Sequence, residues 1–199
     1  MKVAITSTDV LNKEYSDQFD VERKKRMIVL EEDKEAVSRA NMFDQQRKLS
    51  MTESYYKYGP ARLNYATGRV DAFATAEECL YAFSKDHNLE HLLDATNYLM
   101  LRYMFPYPGE EFANSLNAGE NTLVAYSGFP QGVLKTAEDF MLRFKREKNL
   151  EHLVNAANYL MLRFVYPEQG DFFRRTESEE AVKQVGTAIN IEKGYHVFQ

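Results

Sequence analysis

Apolar residues recur at helical spacing through much of the chain, and the strongest such pattern occurs twice. Phe73, Ala76, Leu80 and Phe83 share one face of a helix predicted from about Asp71 to Lys85. Leu134, Ala137, Met141 and Phe144 repeat that face at an offset of 61 residues. A second helix is predicted from Asn88 to about Phe105. Its stripe of Leu89, Leu92, Leu93, Thr96, Leu99, Met100 and Tyr103 returns as Leu150, Leu153, Val154, Ala157, Leu160, Met161 and Phe164. Pro106 stops it, because the residue before a proline is driven out of the α region. Tyr98, Leu101 and Met104 lie off the stripe, so the second half of this helix is apolar nearly all round, the pattern of a central helix. Asn88 and Asn149 read as N-caps. Thr75-x-x-Glu78 and Thr136-x-x-Asp139 have capping-box spacing.

Between Thr75–Pro106 and Thr136–Pro167, 17 of 32 positions are identical without a gap, so one supersecondary unit was copied whole. Tyr65 with Tyr126, Gly109 with Gly170 and Phe112 with Phe173 extend the match. The expected fold is all-α: a tandem duplicated helix pair forming a pseudo-two-fold four-helix core, with an N-terminal helical arm and a short C-terminal helix. Residues 1–52 read as the polar arm. Within them Arg26–Leu30 is a short apolar run fit for a strand or a helix start, and Glu31–Leu49 reads as an exposed helix with a thin stripe of Ala36, Val37, Ala40 and Phe43. Residues 53–113 form the first module with a Tyr-rich lead-in, broken at Gly59-Pro60, and residues 114–175 form the second. Residues 176–199 read as a helix from Ser178 to Ala188 and a tail pinned by Tyr195, Val197 and Phe198.

A chain of 199 residues with 44% hydrophobic residues can bury a good-sized core. Its net charge of −5 argues against broad attraction to nucleic acid, which needs a dense cationic face. The basic run from Arg23 to Arg26 is followed by Glu31, Glu32 and Asp33 and reads as a solvated helix face. Cys79 is the only cysteine, so no intrachain disulfide forms, and its counterpart Phe140 marks a core position. The amino terminus lacks the apolar core of a signal peptide, and no apolar run is long enough for a membrane span. A soluble, cytoplasmic protein is expected.

Candidate chemistry sits on the second helix of each pair. At 100° per residue, Glu90, Asp94 and Asn97 share a face within about 60°, and His91, Tyr98 and Arg102 share another. The second copy places Glu151, Asn155 and Asn158 on the first face, and His152, Tyr159 and Arg163 on the second. Glu90 and Glu151 also lie in a first helical turn, where the dipole favours anions. Asn97 and Asn158, inside the NYLMLR common to both copies, read as a polar lock fixing the register of the two central helices, or as ligand contacts. Glu78, Glu90 and Asp94 are the parts of a helical Mg²⁺ site, and with Glu77 they make the candidate catalytic set. Those acids resemble the all-α nucleoside triphosphate pyrophosphohydrolases of the MazG type, which carry EExxE on one helix and ExxD on the next. Here the motifs read EECLY, with Tyr81 at the third acid position, and EHLLD, with one extra residue before Asp94. No zinc spacing, nucleophile triad, glycine-rich phosphate loop or CxxC motif is present.

Asn88 to Pro106, preceded by KYGPARLNYATGRVDA and followed by FFRRTESEE at Phe172–Glu180, resembles small helical proteins of phages and bacteria that carry a segment like NTEYLVDVANFAMIEFMHP. Arg102 and Arg163 stand where that group tends to have Glu. The resemblance implies a phage or mobile-element origin and no particular activity. The acidic balance, the polar arm and the aromatic lead-in favour a macromolecular interaction protein that binds a host or viral protein and needs no cofactor. A homo-oligomer is compatible with that reading. Binding candidates are Tyr55, Tyr56, Tyr58, Asn97, Asn158, Arg102 and Arg163. The alternative is a Mg²⁺-dependent nucleotide-binding protein or pyrophosphohydrolase using Glu77, Glu78, Glu90 and Asp94.

Overall fold

The computed structural model describes residues 17–24, 34–113 and 132–175, and the fold is all-α. Residues 17–24 form α1. The helices that follow are α2 (Lys34–Tyr58), α3 (Ala61–Tyr65), α4 (Ala72–Asp86), α5 (Glu90–Met104), α6 (Val133–Glu147) and α7 (Glu151–Val165). Both helix pairs expected from the repeat are present, as α4 with α5 and α6 with α7.

α4 begins at Ala72 because the Asp71 carboxylate accepts the N–H groups of Phe73 at 2.9 Å and Ala74 at 3.3 Å. That corrects the capping-box expectation. Thr75 already lies inside the first turn and its hydroxyl donates to the Asp71 carbonyl at 2.9 Å, as Thr136 does to Gly132 at 3.1 Å. Glu78 and Asp139 are exposed. Each helix ends on a left-handed residue, His87 (φ 61°) or Lys148 (φ 57°), whose N–H returns to Phe83 or Phe144 at 2.8 Å. The N-cap positions fall on Leu89 and Leu150, one residue later than expected, yet the asparagine before each still satisfies the first helical N–H. Asn88 Oδ1 accepts from the Glu90 N–H at 3.2 Å, and Asn149 Oδ1 from the Glu151 N–H at 3.0 Å.

In α5, 11 of 15 residues are buried, and in α7, 13 of 15, which puts these two helices at the centre. α4 packs on α5, α6 on α7, and α5 on α7, while α2 lies across both α5 and α7. α4 and α6 adjoin through Phe73 and Phe144, whose ring centroids are 5.1 Å apart. Helix pairs therefore stack in three layers, with α5 and α7 between α1–α2 and α4–α6.

The two copies are stitched together reciprocally. The Leu89 N–H donates to the Phe172 carbonyl at 2.8 Å and the Leu150 N–H to the Glu111 carbonyl at 3.0 Å. Phe172 and Glu111 are themselves counterparts at the repeat offset. Asn88 further holds the Arg174 backbone through both its amide groups, and Asn149 Oδ1 accepts from Ala113, the counterpart of Arg174.

Of the N-terminal stretch, the described helices α1 and α2 both pack on the central pair. α2 runs straight through position 52, so Tyr55, Tyr56 and Tyr58 are its last turns, and Phe43 and Arg47 are fully buried against the central helices. Arg26–Leu30, Tyr126, the Ser178–Ala188 helix and the tail residues Tyr195, Val197 and Phe198 lie outside the described residues. Among the described residues no helix is long and apolar enough to cross a membrane.

Candidate functional site

α1 and α2 carry a second, shorter repeat. FDVERK at residues 19–24 and FDQQRK at residues 43–48 agree at four of six positions. Their aromatic residues enter the core alike: Phe19 meets Tyr103 and Phe43 meets Phe164, both with centroids 5.3 Å apart. Their charges cross over, with Arg47 donating to Asp20 and Arg23 to Asp44. Both arginine side chains are 1% exposed, whereas Asp20 is 8% and Asp44 20% exposed. Burial pushes Arg47 below its usual value, and the Asp20 carboxylate opposes that shift. Each guanidinium also reaches a methionine sulfur on a central helix, Arg47 to Met100 at 3.2 Å and Arg23 to Met161 at 2.8 Å.

Asn97 and Asn158 belong to this layer. Asn97 Nδ2 donates to the Arg47 carbonyl and Asn158 Nδ2 to the Arg23 carbonyl, both at 3.1 Å. The lock expected between the two central helices therefore joins each of them to the α1–α2 layer instead. The physical reason is geometric: the asparagines face away from the α5–α7 contact toward helices whose FDxxRK repeat periodicity alone did not reveal. Asp20, Arg23, Asp44 and Arg47 are the polar core residues that the sequence reading missed, and the recurrence of FDxxRK is the signal that would have found them.

Arg102 and Arg163 are also internal. Arg102 pairs with Glu110 at 2.6 Å, and Glu110 accepts the Tyr107 N–H at 2.9 Å. Arg163 pairs with Asp171 at 2.8 Å and Glu168 at 3.1 Å. At 6% and 4% exposure these guanidiniums fasten the segment after each central helix, which then bonds to the other copy. His87 adds a contact to Asp171 at 3.3 Å.

The four candidate carboxylates are not brought to one point. Glu77 pairs with Lys145 of α6 at 2.5 Å, and Glu78 faces solvent. Asp94 lies under α2, where it accepts from the Ser50 hydroxyl at 3.1 Å. Burial, and then the Glu90 charge one turn away, push its carboxyl up to about 6, against the Ser50 bond and the His91 and Arg175 charges. Arg175 is anchored next to this spot by Gln46 at 2.8 Å and Glu53 at 2.5 Å. Burial, with Asp94 and Glu78 nearby, pushes the Cys79 thiol up to about 12. Tyr98, whose hydroxyl burial also pushes up, faces Tyr65 with ring centroids 6.3 Å apart.

The second copy is chemically blank at the equivalent place. Phe140 replaces Cys79 and stacks on Tyr159 at 5.6 Å, and Asn155 replaces Asp94. Among the described residues no group of three or more His, Cys, Asp or Glu side chains is placed to hold a metal ion.

The aromatic candidates lie at the far end of α2. Gly59, at φ +79°, closes that helix with its N–H on the Tyr55 carbonyl at 2.8 Å, and the turn leads directly into α3. Tyr56, Tyr58 and Leu63 are 43%, 63% and 62% exposed there, while Tyr55 is half-buried and meets Tyr56 edge-on. No protein-family model, curated protein or solved structure matches the chain.

Proposed function

We propose that the chain is a protein-binding module whose contact surface is the aromatic corner formed by the end of α2 and α3. The observation that carries this reading is the exposure of Tyr56 and Tyr58 in the last turns of α2 and of Leu63 in α3, on either side of the Gly59-Pro60 break. Tyrosines offer large contact area at low conformational cost and are enriched among residues that dominate binding energy. Lys57, 5.0 Å from the Tyr58 ring centroid, adds a cation at the rim. The other binding candidates hold the frame: Asn97, Asn158, Arg102 and Arg163 make bonds within the chain. The resemblance to small phage proteins makes the proposed partner a host or viral protein.

The test is affinity capture with the intact chain against a Tyr56→Ala, Tyr58→Ala variant, with circular dichroism as a folding control. A specific captured protein should be lost in the variant while the helical signal and melting temperature stay put. Equal capture by both chains would overturn the assignment of the corner.

One observation favours the second reading. Glu90 and Asp94 sit one turn apart with like charges, and a divalent cation with a phosphate ligand would relieve that repulsion. A melting-temperature screen of nucleotides with and without Mg²⁺ tests it. Saturating ligand at about a hundred times its Kd stabilises by about 2.7 kcal/mol, and Asp94→Asn should abolish the shift. No shift with any nucleotide removes this reading.

A further inference from the structure

We propose that the outer face of α4 and α6 is a self-association surface occupied by the same face of a second copy of the chain. Between the two helices runs a shallow groove of about 250 Å³, with Leu80 and Tyr81 on one side and Met141 and Leu142 on the other, rimmed by Glu77 and Glu138. These are three pairs of counterparts at the repeat offset, so the groove shows the same wall from both directions. Matched walls let one patch meet itself in a two-fold contact, in which each position on one copy faces its partner position on the other.

Tyr81 and Leu142 are 66% and 55% exposed. They are equivalent positions, and both copies place a large apolar side chain in water there, whereas the flanking pairs Glu78 with Asp139 and Lys85 with Arg146 are charged. An apolar centre with a charged rim is the anatomy of an interface.

Charge selects the occupant and its orientation. Glu77 and Lys145 are already paired within the chain, which leaves α4 with Glu78 and Asp86 against Lys85, a net −1, and α6 with Lys135, Arg143 and Arg146 against Glu138, Asp139 and Glu147, a net of 0. The face can meet itself with α4 on α4 or with α4 on α6. The first opposes two acidic helices, and the second sets the acidic helix on the neutral one, with Glu78 able to meet Arg146. In that arrangement Tyr81 of each copy enters the groove of the other. The surface uses helices other than the aromatic corner, so the two proposals stand separately.

Sedimentation equilibrium of the intact chain at about 100 μM should return twice its 23.1 kDa mass. Leu142→Glu, which sets a carboxylate against the acidic helix, should raise the dimer dissociation constant by about 100-fold, with the melting temperature unchanged at high dilution, where both chains are monomers. Glu78→Lys should weaken the dimer by about tenfold, and adding Arg146→Glu should restore it. A monomer at that concentration, including one whose groove takes a different protein, would overturn the proposal. So would a dimer indifferent to Leu142→Glu, or a charge swap that fails to restore association.

Discussion

Replacing Arg47 by Met keeps a long unbranched stem in its slot and removes the charge that Asp20 needs. Asp20 is 8% exposed, and without Arg47 its nearest cations among the described residues are Lys48 at 3.8 Å and Arg23 at 3.9 Å, both beyond hydrogen-bond range. Stranding one member of a buried pair costs about 3–5 kcal/mol. The accompanying loss of the bond to Asn97 Oδ1 adds little, because that contact is 3.4 Å long. In a domain of this size 1 kcal/mol moves Tm by about 2–4 °C, so the expected fall is about 6–20 °C. The mirror change Arg23→Met strands Asp44, which is 20% exposed with Lys24 at 3.8 Å, so water solvates part of the orphaned charge. Its cost should be about half as large. Asp20→Leu combined with Arg47→Met leaves no orphan and should recover most of the loss, since apolar replacement of a buried pair is often neutral. Urea unfolding followed by circular dichroism, with the slope checked for constancy, gives the free energies. An Arg47→Met cost no larger than the Arg23→Met cost, or a double variant no more stable than Arg47→Met alone, would refute the argument that desolvation of Asp20 sets the scale.

The Asp94 carboxyl, at about 6 in the fold against about 3.9 unfolded, binds more protons native than unfolded between those values, so its contribution to stability falls as pH rises from about 4 to about 6. Asp94→Asn, which copies Asn155, should raise stability at pH 7 by roughly 1–3 kcal/mol and flatten that window; an unchanged urea midpoint at pH 7 would count against it. Asn97 and Asn158 each donate to an arginine carbonyl, but Asn158 Oδ1 is buried with no hydrogen-bond partner among the described residues, so Asn158→Ala also removes that desolvation penalty and Asn97→Ala should cost about 1 kcal/mol more in the same assay. Cys79, pushed up to about 12, should alkylate with iodoacetamide at pH 8 at least about 100-fold more slowly in the native chain than in urea, and comparable rates would show the thiol to be open.

The helix pairs were legible because a period near 3.6 and a fixed offset are properties of the sequence alone. Leu92, Leu99, Leu153 and Leu160, read as one stripe, are all 0% exposed. α2 was legible in part, since Ala36, Ala40 and Phe43 of its predicted stripe do meet the core, but α1 and the polar contacts of the α1–α2 layer were not legible from periodicity. Its core contacts are made by Phe43 and by charged or amphipathic side chains such as Arg47, and a hydrophobic pattern scores a buried arginine as solvent-facing. Arg23 illustrates the cost: within a run of four basic residues it looked like a solvated face, yet it is 1% exposed and bonded to Met161 and Asp44. The capping box failed for a related reason. Thr75-x-x-Glu78 has the right spacing, but Asp71 is the better acceptor four residues earlier, and the helix starts where the first capable cap stands.

The shared frame makes the differences between the copies informative. Asn97 with Asn158, Arg102 with Arg163, and Asn88 with Asn149 share one principal bond each, to the equivalent partner in the other copy or repeat, so their identity follows from packing. Cys79 against Phe140 and Asp94 against Asn155 repeat nothing, and the two changes are neighbours, Asp94 bonded to Ser50 and Cys79 close to Asp94 and Tyr98. Any ligand chemistry of the proposed kind therefore belongs to the first copy alone. The same frame decides how partner binding can be tested. Deleting residues 1–50 removes α1, Phe43 and Arg47, and uncovers Asn97, Asn158, Met100 and Met161 on the central helices. Lost capture in that deletion would report an opened core. Substitution at Tyr56 and Tyr58 leaves every one of those interior bonds in place, so a loss of capture there reports the surface itself.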